Sequence, residues 1–547
     1  MDAHSDLLIL DKPTVIFEAR LRSCIEDDLK RRDLRSAHTQ LSRLLQEPEV
    51  GDIICSIGAD ILPLLAGMPC IPLSSLESLL MPDSTEKSGN WKIWAFEGLE
   101  SLVPVEIIAI DDHEKPTHVV ICGVLSRFCV YRMHGAAPPP RLVEGSDSSN
   151  PEDMHEDPTI PSAEVFDMPH HDFDGNWEEL IFDQNHKEDL SWMISNMLSF
   201  SAEAGPVKKR MSPMALFHGV YSYPSTFTMV RVRSNFMGPT RTIIAAMMAR
   251  CCLVNLGPPG TGKTTLCQAI AQRLSIRLVE TFPNTKLIQV KTATLLSKYY
   301  SESATQVDDL LTKVKEMCQN DPRRIVIVLI DEVESIAVSR HSGVIHGEAQ
   351  DSLRATNALL TGFDRVRSCP NVVFLSTSNM VDCLDEAFVD RCAIQVPFQP
   401  PSEESQYKIL TGSLLELVRR GIIIADLTGL LHYTQLIQSW QEATLYSAHQ
   451  QDPPTPTGKL LGIIMQLNSP AAKGKLGVSG RFLTQVPEQA LMRSARPNKI
   501  LSLDIALDCI KKFVEDLLSA RGQKRKSSEL EGQPETQDHC CCVAKKG

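Results

Sequence analysis

The stretch 257–264 has the sequence Gly-Pro-Pro-Gly-Thr-Gly-Lys-Thr, and a later aliphatic run over 325–330 ends in the acidic pair Asp331 and Glu332. Backbone N–H groups of such a glycine-rich turn can surround phosphate groups, and the lysine can reach their outer oxygens. An unbroken aliphatic run is typical of a parallel strand that is buried on both faces. Together the two elements predict an α/β fold that binds its ligand at the carboxyl edge of a parallel sheet.

The glycine-rich turn predicts a site for ATP, and the acidic pair predicts how that ATP is hydrolysed. The Thr264 hydroxyl and Asp331 would bind Mg²⁺, and Glu332 would direct the attacking water. Alone, the turn could be a chance match, and the acids could simply cap a strand. Their order in one chain favours an ATPase. The predicted nucleotide-binding residues of the turn are Gly257, Pro258, Pro259, Gly260, Thr261, Gly262, Lys263, Thr264 and Thr265.

Two further polar residues extend this predicted site. Asn379 follows a second apolar strand over 371–378, where its amide could position the attacking water. A simple asparagine at a strand-to-turn junction is the alternative. Arg391 lies in a short acidic segment, and a guanidinium suits the charge that spreads over a phosphoryl group during transfer. For this arginine the alternative is a surface ion pair with Asp385 or Asp390.

Two other motifs have both an ordinary and a functional interpretation. Arg481 follows a pattern typical of a helix start over 477–480, where a cation is unfavourable unless it faces an anion such as a nucleotide phosphate. The alternative is an ordinary cap. Tyr299 and Tyr300 lie in a polar turn, where adjacent tyrosines commonly pack half-buried. In a ring of subunits they could instead project into a central channel and grip an extended polypeptide.

Composition excludes several classes of protein. With 547 residues, 43% of them hydrophobic and 22% charged, the chain is long enough for about three or four globular domains. A net charge of −13 argues against general nucleic-acid binding, and no apolar run reaches the roughly 18 residues of a membrane helix. The 16 cysteines lack zinc spacing and no apolar leader opens the chain, so we expect a reducing intracellular compartment.

Changes in composition and periodicity divide the chain into five segments. Strand and helix patterns alternate at first, an acidic stretch rich in proline and serine follows, and the strand patterns end after about residue 400. Within the large domain, 206–250 is an atypical segment, and an insertion is one interpretation of it. The predicted segments are an N-terminal α+β domain (1–140), an acidic disordered linker (141–169), a large ATPase domain (170–400), a smaller helical domain (401–520) and a disordered tail (521–547).

These motifs in this order resemble the AAA+ superfamily, and whole phrases resemble the pachytene checkpoint protein 2 family, also called thyroid hormone receptor interactor 13. The resemblance covers 177–518 and is carried by SKYYSESATQV, VLIDEVESIAVSR, NALLTGFDRV, NVVFLSTSNM, AFVDRCAI and GVSGRFL. It implies an AAA+ P-loop fold, in which a doubly wound parallel sheet is followed by a C-terminal helical lid domain. The N-terminal α+β domain would recognise substrate and adaptor.

Carried over by position, the resemblance assigns roles to individual residues. Asp331 becomes the Mg²⁺ partner, Glu332 the catalytic base and Asn379 sensor 1. Arg391 becomes the arginine finger that one subunit lends to its neighbour, and Arg481 becomes sensor 2.

The same resemblance makes Tyr299 and Tyr300 the pore-loop aromatics, where the family more often has Trp-Phe. Other departures are Leu256 in place of a usual histidine, Ala393 in place of an acid, and the unusual 206–250. That segment could be a lineage-specific insertion or a reading-frame error.

What the resemblance implies about function is specific. Members of the family are hexameric ATPases that act with an adaptor to convert HORMA-domain proteins from a closed to an open form. They act in meiotic chromosome synapsis, recombination control and the spindle checkpoint. We therefore expect a homo-hexamer with HORMA-domain partners and no membrane or direct nucleic-acid contact, located in the nucleus on chromosomes, with the cytoplasm as a second compartment.

Two rival functions are compatible with the same core. A nucleic-acid translocase or clamp loader shares the ATPase fold, but the acidic balance and the aromatic pair disfavour it. A nucleotide-binding scaffold that does not hydrolyse ATP is disfavoured because Glu332, Asn379 and Arg391 are all present. The basic runs 208–210 and 524–526 are weak nuclear-import candidates, and solvated charge explains them about equally well.

Overall fold

The computed structural model describes residues 13–21, 41, 54–63, 99–108, 118–121, 124–135, 162–183, 186–203, 214–216, 252–256, 259–295, 303–337, 349–380, 383–392, 394–424, 436–437, 439–448, 455–469, 478–494 and 501–530. The chain divides into two compact units. The first comprises Met1–Leu180, His186–Gly257 and Lys263–Phe398, and the second comprises Ile181–Asn185, Pro258–Gly262 and Gln399–Gly547.

The N-terminal part of the first unit has its own sheets and core. Its strands are β1 (Thr14–Leu21), β2 (Ile54–Ser56), β3 (Leu99–Ile108), β4 (His118–Val120) and β5 (Leu125–Arg132). Strand β1 lies between β3, which is antiparallel to it, and β5, which is parallel, while β2 pairs with β4. The rings of Phe17 and Phe128 stack across β1 and β5 with centroids 5.3 Å apart. Burial of these aromatic side chains stabilises the small sheet.

A seven-stranded sheet forms the centre of the first unit, in the order β6-β9-β10-β11-β7-β12-β8. Strand β10, the third in this order, is apolar over 325–330, and these residues are at most 1% exposed. Strands β9, β10 and β11 are parallel, and β6 adds an antiparallel edge beside β9. The strands are β6 (Ala163–Met168), β7 (Met214–Leu216), β8 (Cys252–Leu256), β9 (Asn284–Val290), β10 (Arg324–Ile330), β11 (Val372–Ser378) and β12 (Ile394–Pro397).

Helices connect and cover these strands. They are α1 (Asn176–Glu179), α2 (His186–Glu203), α3 (Lys263–Arg277), α4 (Thr292–Leu295), α5 (Ser303–Asn320), α6 (Ala349–Val366) and α7 (Glu386–Arg391). Apolar side chains of α5 and α6 join those of β9, β10 and β11 in one buried cluster, in which Phe363 and Phe374 meet edge to face. Strand–helix alternation around a parallel sheet confirms the predicted α/β fold. None of the helices in the ranges given above is long and apolar enough to cross a membrane.

The second unit is mainly helical. Its elements are α8 (Glu403–Arg419), β13 (Ile423–Ile424), α9 (Trp440–Ala448), α10 (Pro456–Leu467), α11 (Gly480–Ser494), β14 (Leu501–Ser502) and α12 (Leu503–Leu530). Leucine and isoleucine side chains of α8, α10, α11 and α12 form its core. Tyr407 is completely buried there, and its hydroxyl donates a hydrogen bond to the carbonyl oxygen of Ile437 at 2.5 Å. That bond satisfies the polar tip of a buried aromatic ring.

The structure corrects two segment boundaries. The linker predicted over 141–169 was drawn too long, because β6 (Ala163–Met168) pairs with β9 and its Val165 packs against the buried cluster of the large sheet. The disordered tail predicted over 521–547 begins too early, because α12 continues to Leu530. Arginine, glutamine and lysine in that stretch are good helix formers despite their polarity. Composition alone missed the long-range pairing of β6 and the propensity of α12.

The unusual segment 206–250 lies mostly outside the described residues. Its residues 214–216 form β7, which is parallel to β11 and β12. The choice between an insertion and a reading-frame error therefore stays open.

A buried charge cluster joins α3 to the N-terminal sheet. Arg273 Nη1 lies 2.6 Å from Glu18 Oε1 on β1, and Arg277 Nη1 lies 2.5 Å from Glu106 Oε2 on β3. These four side chains are only 10–18% exposed. Charges removed from water are stable only when they stay paired. The cluster therefore fixes the N-terminal sheet on the far half of α3.

We predict that Glu18→Ala destabilises the first unit, because it leaves Arg273 buried without its carboxylate. The expected loss is about 3–5 kcal/mol, measured as the shift in the urea midpoint of unfolding. Glu280→Ala is the control, because its ion pair with Arg127 is about half exposed on both sides. An exposed pair contributes about 0–1 kcal/mol. Equal losses in the two variants would contradict a special role for the buried cluster.

Candidate functional site

Parallel pairing brings two of the three predicted catalytic residues, Glu332 and Asn379, to one edge of the sheet. In the register of β10 and β11, Ile330 lies opposite Ser376, so β10 ends two residues before β11 at the same edge of the sheet. Asp331 and Glu332 follow β10, and Asn379 follows β11. Lys263 is the first residue of α3, immediately after the glycine-rich turn. This is the carboxyl edge at which open α/β sheets bind their ligands.

Asp331, at the end of β10, contacts residues of helix α3 and strand β11. The Thr264 hydroxyl donates a hydrogen bond to Asp331 Oδ1 at 2.9 Å, and the Thr377 hydroxyl donates to the same oxygen. A hydroxyl and a carboxylate in direct contact form an oxygen-rich pair of the kind that Mg²⁺ prefers. Thr264 and Asp331, the predicted metal residues, therefore fit an Mg²⁺ ion held together with nucleotide phosphates.

Lys263 is nearly buried and contacts Asn379. Its Nζ donates a hydrogen bond to Asn379 Oδ1 at 2.7 Å, and the residue is only 7% exposed. Burial lowers the pKa of Lys263 to about 8, although the charges of Glu334 and Asp331 oppose this fall. A buried ammonium whose charged form is disfavoured gains from an added anionic partner. The lysine is therefore placed to bind a phosphate strongly.

Glu332 has an unusual backbone. Its φ and ψ are both 51°, and it is the one non-glycine residue with positive φ among those the structure describes. Its N–H donates to the Thr377 hydroxyl at 3.1 Å, which holds the bend, and its side chain is exposed. Left-handed conformations of such residues cost about 1–3 kcal/mol and concentrate at functional sites. At this bend the exposed Glu332 side chain is accessible next to the carboxyl edge of the sheet.

The described part of the glycine-rich turn needs its glycines. Gly260 and Gly262 have φ values of 81° and 87°, which favour glycine strongly. A Cβ at Gly260 would lie 2.8 Å from Ser479 Oγ, so the turn also leaves no room for a side chain there. Thr261 is buried, and Thr265 is a half-buried residue of α3. Gly257 and Pro258 lie outside the described residues, while Pro259 is exposed.

Arg481 lies beside this turn through its backbone. Its N–H donates to the carbonyl oxygen of Gly260 at 2.9 Å, and its side chain is exposed in the first turn of α11. The Ser479 hydroxyl accepts the N–H of Phe482 and so caps the helix. Ser479 thus forms an ordinary helix cap, and the backbone of Arg481 also contacts the glycine-rich turn. The role of Arg481 stays a prediction.

Arg391 has a partner that the sequence did not indicate. Its Nε and Nη2 donate to the two carboxylate oxygens of Asp364 on α6, at 3.3 and 2.9 Å. Hydrogen bonding to Asp364 raises the pKa of Arg391 above its usual value. Asp385, one of the two expected partners, caps α7 by accepting the N–H of Ala387 at 2.9 Å. The charges of Asp385 and Asp390 also contribute to the raised pKa of Arg391. The described contacts therefore hold the guanidinium between α6 and its own helix, where Nη1 donates to the carbonyl oxygen of Ala387.

Two residues of the site were missed by sequence reasoning. Thr377 is 2% exposed and links Asp331 with the Glu332 backbone. Glu334 accepts the N–H of Asn379 with its Oε1 at 3.0 Å. Thr377 lies among the small polar residues at the end of β11, and this pattern could have identified it from the sequence. The position of Glu334 depends on the backbone bend at Glu332, which the sequence does not show. The predicted pore residues Tyr299 and Tyr300 lie outside the described residues.

Comparisons with known proteins agree on one family. Residues 253–400 match the family model described as the ATPase family associated with various cellular activities (AAA). The Arabidopsis thaliana pachytene checkpoint protein 2 homolog is 35% identical over 350 residues, which are 63% of this chain and 65% of the relative. The Danio rerio homolog is 30% identical over 341 residues, which are 62% of this chain and 68% of the relative. The chain thus spans slightly less than two thirds of the Arabidopsis relative.

A solved structure shows the same fold. The structure of C. elegans PCH-2 matches with a TM-score of 0.56 at 21% identity, and the match covers 92% of this chain and 99% of that chain. At this identity the likeness concerns the fold alone.

We predict that Thr377→Val weakens magnesium-dependent ATP turnover, because Asp331 and the Glu332 backbone both lose their hydroxyl partner. Loss of an outer partner of a metal ligand commonly costs about 10- to 100-fold. Turnover measured over a magnesium titration tests this. Thr285→Val is the control, because Thr285 is also buried on a strand of this sheet but its hydroxyl has no hydrogen-bond partner among the described residues. A similar fall in both variants would show a packing effect instead.

Proposed function

The chain belongs to the pachytene checkpoint protein 2 family, and on that premise we propose that it is an ATPase that remodels HORMA-domain proteins. The observation that carries the ATPase part is the joint contact at the sheet edge, where Asp331 meets Thr264 and Lys263 meets Asn379. Family membership carries the choice of substrate. The chain would act as a homo-hexamer with an adaptor that presents the HORMA-domain protein.

Hydrolysis would use the residues at the end of β10 and β11. Lys263 would leave Asn379 and bind the β- and γ-phosphates, so Asn379 would become free to orient the attacking water. Glu332, on its strained bend, would accept the proton of that water. Thr264 and Asp331 would hold Mg²⁺, which neutralises charge on the phosphates when bound. The positions of the side chains and the chemistry of phosphoryl transfer support these proposed roles.

Arg391 would act on the nucleotide of a neighbouring subunit. A guanidinium stabilises the charge of the transferring phosphoryl group, and its loss costs about 10³- to 10⁵-fold in enzymes that use one. The side chain is 31% exposed and lies on a short helix after the sheet. It would therefore exchange Asp364 for the phosphates of the neighbour when the ring forms. Arg481 would contact the phosphates as sensor 2.

Work on the substrate would come from the segment that contains Tyr299 and Tyr300. Each cycle of hydrolysis would shift subunits against one another and move these aromatic side chains along the central channel. They would pull a segment of a closed HORMA domain and release the open form. This activity would serve meiotic synapsis, recombination control and the spindle checkpoint, and it would place the protein in the nucleus on chromosomes, with the cytoplasm as a second compartment.

The test is the ATPase rate of the full chain and of Glu332→Gln. The rate is measured alone, with a HORMA-domain protein and its adaptor, and with DNA. We expect hydrolysis that the HORMA protein and adaptor stimulate, and a fall of about 10²- to 10⁴-fold in Glu332→Gln with ATP binding retained. Stimulation by DNA alone would favour a translocase. An inactive parent would favour a nucleotide-binding scaffold.

Mixing two inactive variants tests whether Arg391 acts between subunits. Arg391→Ala keeps its own ATP site but lacks the finger, and Lys263→Ala keeps the finger but cannot use ATP. In mixed rings, Arg391 of a Lys263→Ala subunit would act on the intact ATP site of a neighbouring Arg391→Ala subunit. At equal amounts of the two variants, about a quarter of all sites should have both an intact ATP site and an intact neighbouring arginine, so activity should be partly restored. Mixtures that stay as inactive as the separate variants would contradict a role for Arg391 in the neighbouring site.

A further inference from the structure

Glu334 is an acidic residue next to the site to which the proposed chemistry assigns no role. It lies in a short 3-10 turn, Val333–Ser335, directly after Glu332. Its Oε1 accepts the backbone N–H of Asn379 at 3.0 Å, and the Asn379 side chain in turn accepts a hydrogen bond from Lys263 Nζ at 2.7 Å. A continuous chain of contacts therefore runs from Glu334 through Asn379 to the lysine that would bind phosphate.

The bend at Glu332 determines where Glu334 lies. The left-handed backbone at Glu332 turns the chain sharply after β10 and starts the 3-10 turn, which directs Glu334 back towards the end of β11. The N–H of Glu332 is fixed by Thr377, so the turn has little freedom. The same strained bend therefore exposes Glu332 and brings Glu334 into contact with Asn379.

Burial makes this carboxylate more than a surface cap. Its Oε2 is buried and has no hydrogen-bond partner within the part of the chain that the structure describes. A buried acceptor without a partner is energetically unfavourable. Its charge also acts on Lys263, because Glu334 is among the carboxylates that oppose the fall in the pKa of that lysine. The contact with Asn379 and this nearness to Lys263 place Glu334 among the residues of the site.

We infer that Glu334 is a positioning residue for the reaction and that it acts through Asn379. Its carboxylate holds the backbone of Asn379 at the end of β11, so the amide side chain stays directed at Lys263 and, with nucleotide bound, at the attacking water. This inference rests on the proposed ATPase function. Small displacements of groups that orient a reactant can cost about 100-fold in rate.

If Glu334 positions Asn379, its loss should lower the rate of ATP turnover but not the affinity for ATP. Glu334→Ala removes the acceptor, so kcat for ATP should fall about 10- to 100-fold, while KM and the affinity for a fluorescent ATP analogue change less than about 3-fold. Glu334→Gln keeps an amide oxygen that can accept the same N–H, so most of the turnover should return. Melting temperatures of both variants establish that they are folded.

A double-mutant cycle identifies the partner. If Glu334 acts through Asn379, then Glu334→Ala should add little to the loss already caused by Asn379→Ala, giving a clear coupling between the two sites. Independent, multiplicative losses would overturn the inference. An unchanged kcat in Glu334→Ala would also overturn it, as would a loss in Glu334→Gln as large as in Glu334→Ala with folded protein. A parent that does not hydrolyse ATP would instead refute the proposed function on which the inference rests.

Discussion

The contact of Asp331 with two threonine hydroxyls holds the site together. Thr264 reaches it from the first turn of α3, and Thr377 reaches it from β11. Three elements that are far apart in sequence are thereby joined at one carboxylate oxygen. The parallel register of β10 and β11 makes this possible, because both strands end at the same edge. The placements of Lys263, Glu332 and Asn379 all depend on this edge.

Helix α3 connects the candidate nucleotide site with the N-terminal sheet. Its first residues, Lys263 and Thr264, contact Asn379 and Asp331. Its last turns carry Arg273 and Arg277, which form the buried ion pairs with β1 and β3. One helix of 15 residues therefore touches both the nucleotide site and the N-terminal sheet. Under the proposed function, this helix would link ATP binding to the N-terminal sheet.

Short sequence motifs were enough to predict the residues at the carboxyl edge of the sheet. Contacts between residues far apart in sequence could not be predicted in this way. The glycine-rich turn and the aliphatic run of β10 are strong patterns. They predicted that Lys263, Thr264 and Asp331 lie together, and the structure brings these residues to one edge of the sheet. The β6–β9 pairing and the Asp364–Arg391 pair join distant residues, and nothing in the local sequence announces them. Glu334 was missed for a related reason, because its direction depends on the left-handed bend at Glu332.

A structure of Glu332→Gln with Mg²⁺ and ATP would show directly how these residues meet the nucleotide, since the substitution should trap the bound nucleotide. We expect Lys263 Nζ to leave Asn379 and contact the γ-phosphate. We also expect Mg²⁺ between Thr264 and Asp331, with Asn379 still held by Glu334. A bound nucleotide with Lys263 remaining on Asn379, or with the metal away from Asp331, would contradict the proposed site.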